Sequence, residues 1–343
     1  MRRFSGKKFC LCLALIMPCI FLVSVMSGSS SIGLSDLLFM KLSEHQRLIL
    51  LEIRLPRALL SCVVGAVLAM SGAVLQGLFR NPLADPSLIG VTAGASAGAS
   101  LSIMLGAQLV LLVGMESVSA FASLSVVTLG AFLGGMLAVI LVYQLSTTAI
   151  KGTSVSTMLL VGIAITSFAG ALNSLLSFFA DNEMLRRMSL WQMGNLDLAN
   201  WARVQVALAM LVLFVMLLRN QAKSLNALLL GESEARYLGV DVVKVKRRVI
   251  FLAALGAGVC TALAGAIAFV GLIVPHLMRL MIGPDHKWLI LASGLFGGIL
   301  LMSSDVIARL LLAPAELPVG IMTAFLGVPF FLFLLRQQRR TYI

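Results

Sequence analysis

Residues 75–91 read LQGLFRNPLADPSLIGV. An apolar run from Ala58 ends in this stretch, and a run of small residues, GVTAGASAGAS (90–100), follows it. Between the two runs Arg80, Asn81, Asp85, Pro82 and Pro86 fall within seven residues. Proline fixes φ, removes a backbone donor and pushes the preceding residue out of helix, so this is a rigid polar turn joining two apolar helices. The lengths of the flanking runs decide the fold class.

The same alternation continues along the chain. Of 343 residues 60% are hydrophobic and 12% charged, with a mean hydropathy of +1.04. Soluble domains are nearer half apolar and a quarter charged. Apolar runs of roughly 20 residues recur, the signature of a polytopic membrane protein. This excludes a soluble α/β enzyme and a nucleic-acid-binding domain despite the net charge of +12. The basic excess reads instead as loop charge facing a cytoplasm.

Expected spans lie near 9–27, 58–78, 88–108, 118–145, 155–179, 203–219, 249–268, 272–282, 288–311 and 318–335. The segment 272–282 is too short to cross alone and makes sense as a half-helix packed against protein. The first run follows the basic stretch MRRFSGKKF but is longer than a signal-peptide core and lacks a closing A-x-A site. A retained first span is therefore expected.

An even count of spans places both termini on one side. If that side is cytoplasmic, Arg80, Lys151, Arg219, Lys223, Arg236, Lys244, Lys246, Arg247, Arg248, Arg279, Lys287 and the charges at both termini lie inside. Lys41, Arg47, Arg54, Arg57, Arg186, Arg187, Arg203 and Arg309 lie outside. The positive-inside rule favours this orientation and puts the RNPLADP turn in the cytoplasm.

Rows of small residues occur inside the spans: Gly90, Gly94 and Gly98; Gly130, Gly134 and Gly135; Gly294, Gly297 and Gly298. Such rows let helix backbones approach closely in lipid, mostly within one bundle. SGAVLQGLFRNP (71–82) and AGAIAFVGLIVP (264–275) also echo one another faintly, as paired broken helices do in transporters with inverted repeats.

The longest inside loop, from Asn220 to Arg248, has Leu225, Leu228, Leu229, Ala235 and Leu238 at helical spacing, split by Gly231. Two short amphipathic helices on a glycine hinge fit this pattern. On periodicity alone they either lie on anionic lipid or dock a soluble partner.

What is missing is also informative. No G-x-x-x-x-G-K-[ST] occurs, so the chain has no P-loop. Asp305 is the main ionisable residue in the long apolar stretch 288–313, where an ion-driven carrier would need an acidic or histidine relay. The five cysteines form no C-x-x-C pair, and His45, His276 and His286 have no metal-ligand spacing. A gradient-driven carrier and a membrane enzyme are thus the weaker readings, and an energy source on another chain is the stronger.

Four stretches, RLPRALLSCVVGAVLAMSGAVLQGLFRNPLADPSLIGVTAGA (54–95), LLLGESEARYLGVDV (228–242), GAIAFVGLIVPHLMRLMIGPDH (265–286) and APAELPVGIMTAFLGVPFFLFLL (313–335), resemble the permease subunits of bacterial ABC importers for iron chelates and vitamin B12. The resemblance covers most of the chain from Arg54 to Leu335. It implies an all-α polytopic membrane protein with about ten transmembrane helices, in the inverted-repeat type II importer fold. It implies one permease domain over 1–343, with a cytoplasmic coupling segment at 221–248. It also implies a homodimer with the pathway between copies, two ATP-binding-cassette ATPases below, a periplasmic binding protein above, and an inner-membrane location with both termini cytoplasmic. ATP and Mg would be held by the partner ATPase, with no cofactor and no catalysis on this chain.

Residue by residue, Asn81, Pro82 and Leu83 match the family's cytoplasmic gate loop, and Gly152, Thr153 and Ser154 resemble its second gate region. Glu234–Gly239, reading EARYLG, resembles the coupling motif, with Gly231, Glu234, Ala235 and Gly239 at the ATPase. Arg54, Arg57 and Arg309 match arginines that face the binding protein. For the cargo, the wording of 231–242 and 313–320 is most similar to the haem and cobalamin branches. Haem is expected first, a ferric siderophore second and cobalamin third, with Arg186 and Arg187 available to haem propionates.

Overall fold

The computed structural model describes residues 4–28, 43–112, 120–148, 152–313 and 315–341. Lys41 and Lys151, counted above in the charge distribution, and the first two residues of the expected span 118–145, lie outside them.

The described chain is helical except for one two-residue ladder. Its helices are α1 (Gly6–Met26), α2 (Glu44–Phe79), α3 (Val91–Leu112), α4 (Ala120–Ser146), α5 (Val155–Phe179), α6 (Asn182–Gln192), α7 (Trp201–Arg219), α8 (Ala222–Leu230), α9 (Glu232–Tyr237), α10 (Val242–Ala264), α11 (Val270–Ile282), α12 (His286–Leu311) and α13 (Val319–Thr341). Among the described residues seven helices are long and apolar enough to cross a membrane, namely α1, α2, α4, α5, α7, α10 and α12. Val91–Gly106, Val270–Ile282 and Val319–Leu332 are shorter apolar helices. Among the described residues each apolar run expected from the sequence is thus helical, except that the run 249–268 stops at Ala264, and α11 is the short segment anticipated at 272–282.

α2 is the centre of the bundle. It begins with a turn at Glu44–Leu48, passes through a π-helical turn at Ile49–Arg54 and continues as Leu55–Phe79. From Ala66 to Phe79 every residue is buried. A helix that is apolar all round must be enclosed by others, and α2 packs against α12, α10, α11 and α7. Starting at Glu44, it takes the RLPR stretch into its outer third, where Pro56 is tolerated near the start of the α-helical part. The sequence-based boundary at Ala58 was therefore several turns late.

The small-residue rows pack helix on helix within the chain. On α3 and α4, Gly94 and Gly98 lie against the backbones of Gly134 and Gly130. On α12, Gly297 lies against Gly65 of α2, and Gly294 against Met70. Where lipid is as apolar as leucine, this close approach supplies the van der Waals contact that burial from water supplies elsewhere.

α6 is the element the sequence reading missed. Its sequence, NEMLRRMSLWQ, is short and polar and left no run to detect. Asp181 caps it by accepting from the Met184 N–H at 2.8 Å, and Met188 buries its inner face. The chain after α6 then meets the break between α10 and α11. The Asn195 N–H donates to the Ala264 carbonyl at 2.8 Å, and Gly194 sits against Ala266. Irregular backbone at membrane depth survives only where protein satisfies it: here the Asn195 N–H takes the Ala264 carbonyl, and the Ala268 and Phe269 carbonyls accept from the N–H groups of Val270, Leu272 and Ile273. The two echoing segments also touch, with Gly72 of α2 against the backbone of Gly271 at the start of α11.

Candidate functional site

Three groups of residues singled out by sequence fall in three places. The first is the RNPLADP turn. α2 ends at Arg80 in the left-handed region, φ 50°, a conformation that glycine usually takes at a helix end. Its N–H donates to the Gly77 carbonyl at 3.3 Å, and the Asn81 N–H donates to the Gln76 carbonyl at 3.2 Å. Asn81 then folds its own side chain into the turn, Oδ1 accepting from the Leu83 N–H at 2.9 Å. The Ala84 N–H closes the turn on the Asn81 carbonyl at 3.2 Å around Pro82. Asp85 starts a 3-10 turn, Pro86–Ile89, by accepting from the Ser87 N–H at 2.8 Å. Asn81, Pro82 and Leu83 are each half-buried. The turn is rigid because its prolines fix φ and its Asn81 and Asp85 side chains accept from backbone N–H groups two residues on.

The second stretch, Gly152–Ser154, begins with a short strand: Thr147–Thr148 pairs antiparallel with Gly152–Thr153. Ser154 caps α5 with its hydroxyl, accepting from the Thr157 N–H at 3.4 Å. The Gly152–Thr153 strand packs on α10, while the 3-10 turn after Asn81–Leu83 packs on α5 at Gly162.

The segment 221–248 holds the two short helices expected on a glycine hinge, but of the five apolar residues at helical spacing Leu229 is only partly buried and Leu238 is exposed. α8 and α9 meet at Gly231, whose φ of 134° is open to glycine alone. Leu225, Leu228 and Ala235 are buried, while Leu230, Tyr237 and Leu238 stand 67%, 91% and 64% exposed. Gly239 takes a φ of 80°. Lys246 ties α10 to α9 through Glu232 at 2.6 Å, and α8 lies on α2 and α12.

At the other end of α2 lie the three arginines. Sequence reading placed Arg54, Arg57 and Arg309 toward a binding protein; the structure gives all three partners within the chain. Arg57 is only 7% exposed and meets three carboxylates. Asp305, fully buried, accepts from Nε at 3.0 Å and Nη2 at 2.9 Å. Glu316 and Asp197 lie 2.6 and 2.9 Å from Nη1. Arg309 reaches Asp305 at 3.0 Å and donates to the carbonyls of Ser27 and Ser24 at 2.7 and 3.0 Å. Arg54 donates to the Met26 carbonyl at 2.9 Å. The cluster joins the C-terminal end of α1, the N-terminal part of α2 and the C-terminal end of α12 to the segments before α7 and α13. Sequence reading did not single out Asp197 and Glu316. The signal was Asp305, an acid in an apolar span, which requires a cation, and that cation has donors to spare.

Beside this cluster a cavity of about 310 Å³ is lined by Arg187, Trp191, Asn195, Asp197 and Arg203, among others. Arg203 donates to the Leu263 carbonyl at 2.8 Å, and Arg186 and Arg187 are exposed on α6.

A family model described as the FecCD transport family matches residues 14–337. The hemin transport system permease protein HmuU of Yersinia pestis is 41% identical over 325 residues, 93% of this chain and 94% of its own. The cobalamin import system permease protein BtuC of Halobacterium salinarum is 42% identical over 295 residues, 86% of this chain and 75% of its own. The iron-uptake system permease protein FeuC of Bacillus subtilis is 34% identical and covers 98% of both. A solved structure, an inward-facing conformation of a metal-chelate type ABC transporter, superposes with a TM-score of 0.84 at 32% identity, covering 96% of this chain and 99% of that one.

Proposed function

This chain belongs to the FecCD transport family as the permease subunit of an ABC importer, and we propose that its cargo is haem. It does no chemistry on the cargo, and ATP is hydrolysed on a separate subunit. The observation that carries the haem reading is the match to the hemin permease, which is near end to end on both chains. The cavity holding Arg187 and Arg203 supports it, since guanidinium groups pair well with propionate carboxylates. A ferric siderophore stands second and cobalamin third.

In this reading about ten helices, arranged as an inverted repeat, cross the inner membrane with both termini in the cytoplasm. Two copies enclose the path. The turn at Asn81, Pro82 and Leu83 meets its symmetry mate to close the inner end, with Thr153 and Ser154 beside it. The segment 221–248 docks the ATPase through Glu234, Ala235 and Gly239, hinged at Gly231. The exposed Leu230, Tyr237 and Leu238 support docking, because a soluble partner would cover them. ATP and Mg stay on that partner, whose rigid-body closure drives alternating access. On the outer side a binding protein engages Arg54, Arg57 and Arg309 by partner exchange. Glu316 and Asp197, with side chains 40% and 45% exposed, are the carboxylates its own would replace.

The test is uptake into liposomes holding the subunit, its ATPase and its binding protein, with haem, a ferric siderophore and cobalamin offered in turn. ATP-dependent accumulation of haem alone is expected. Uptake of another chelate with haem excluded overturns the cargo, and uptake on an ion gradient without ATP or partners overturns the importer mechanism.

A further inference from the structure

Asn226 on α8 makes three contacts with the turn that begins α12. Its Nδ2 donates to Asp285 Oδ1 at 2.7 Å, and its Oδ1 accepts from the His286 backbone N–H at 2.9 Å. The same oxygen lies 2.8 Å from His286 Nδ1, which donates when that nitrogen carries the proton. Asp285 in turn caps α12, accepting from the Lys287 N–H at 3.1 Å. The coupling segment is therefore held to α12 by directed bonds as well as by apolar packing.

His286 leads inward from there. It is fully buried, and its far ring edge lies on α2 at Gly77, where any Cβ would collide with Nε2. Among the described residues Nε2 has no hydrogen-bond partner. Packing and the Asn226 bond place the ring there, not a polar contact with α2. Gly77 and its neighbour Gln76 supply the carbonyls that hold Arg80 and Asn81, which begin the RNPLADP turn. The same turn of α2 is braced from the other side by α11. Gln76 Nε2 donates to the Leu272 carbonyl at 3.0 Å, and its Oε1 accepts from Arg279 Nη1 at 3.1 Å. With α11 behind it and His286 before it, the last turn of α2 cannot absorb a displacement of His286 without moving Arg80 and Asn81.

We propose that Asn226 and His286 are positioning residues that carry movement of the coupling segment to the gate turn. The route is an unbroken run of contacts: Asn226, His286, Gly77, then Arg80 and Asn81. It rests on the reading in which 221–248 docks the ATPase and the RNPLADP turn is the gate. Coupling through packed elements needs an element with two arrangements that both ends bias, and here that element is the end of α2.

The experiment uses the full complex in liposomes and reads ATP hydrolysed against haem taken up. Asn226→Asp sets two carboxylates against each other at 226 and 285. Uptake should fall roughly tenfold, the size of one lost charge-assisted bond, with ATP hydrolysis kept within about twofold. Asn226→Asp with Asp285→Asn exchanges donor and acceptor and should restore the wild-type ratio. Gly77→Ala leaves the Asn226 bonds to Asp285 and to the His286 backbone N–H in place but displaces the ring, and it should uncouple in the same way. If the exchange fails to rescue, or if Asn226→Asp loses hydrolysis and uptake in parallel, Asn226 is only a cap for α12 and the proposal is wrong. Unchanged uptake by Asn226→Asp, with wild type importing on ATP, overturns the inference and leaves the importer reading standing. A wild-type complex that imports nothing on ATP overturns both.

Discussion

Arg57 on α2 holds Asp305 on α12 through two nitrogens, Nε at 3.0 Å and Nη2 at 2.9 Å, with the arginine 7% and the aspartate 0% exposed. Removing one partner of such a pair strands the other charge away from water. Asp305→Ala should cost about 3–5 kcal/mol, read as a large fall in the melting temperature of the detergent-solubilised subunit. Arg57→Met with Asp305→Leu should recover most of it. A subunit in which Asp305→Ala melts like wild type would show that the pair holds nothing together.

The two loop carboxylates on Arg57 should behave differently. Asp197 and Glu316 have side chains 45% and 40% exposed, and exposed ion pairs contribute under about 1 kcal/mol. Asp197→Asn and Glu316→Gln should barely move the melting temperature. Because each removes a negative charge that competes for Arg57, each should tighten the cognate binding protein several-fold (about 1 kcal/mol), measured as a Kd on the reconstituted permease. Weaker binding would mean that these acids hold the docking surface in shape.

On α3, Gly98 lies against the Gly130 backbone of α4, while Gly106 has nothing among the described residues within 4 Å of where a Cβ would stand. Gly98→Leu should destabilise by at least about 1–3 kcal/mol, the usual cost of overpacking, and Gly106→Leu should be near neutral. Equal effects on thermal stability would remove the close approach of α3 and α4 as their cause.

Burial holds the Asp85 carboxyl above the ordinary carboxylate range, while the bonds from Ser87 pull it back by less. A raised folded value means a stability contribution complete below the unfolded value of about 3.9 and lost as pH rises through the folded one. Asp85→Asn keeps an acceptor for the Ser87 N–H without the charge. Its melting temperature should exceed wild type at neutral pH, and the gap should close in acid. A lower melting temperature at neutral pH would mean that the ionised form is the stabilising one.

Tyr237 is 91% exposed, so Tyr237→Ala should leave the melting temperature unchanged and weaken pull-down of the ATPase. Glu234→Ala and Gly239→Val should lower uptake per ATP hydrolysed. Gly239→Val adds the strain of a φ of 80°, roughly 1–2 kcal/mol. Full transport by the Glu234 and Gly239 variants would count against the docking role of this segment.

Much of the fold was legible because lipid removes alternatives. A long apolar run in a membrane must be helical to satisfy its own backbone, so the runs from α1 to α13 followed from hydropathy, and the glycine hinge of α8 and α9 from periodicity. α6 was hidden because a short polar helix leaves no such run. Asp197 and Glu316 looked like ordinary loop acids, and Asn226 and His286 like a loop amide and an isolated histidine, because a chain read in order does not show what lies across the bundle.

By itself the sequence determined the membrane class, the helical runs, the rigid turn at 80–86 and the family. Each depends on composition or on neighbours along the chain. Only the tertiary structure decided that Arg57 is held by Asp305, that Arg54 and Arg309 have partners within the chain, and that a histidine joins α8 to the end of α2. Those contacts unite residues up to 285 positions apart. Distance in space, not order along the chain, sets the strength of a charge pair or a packed contact.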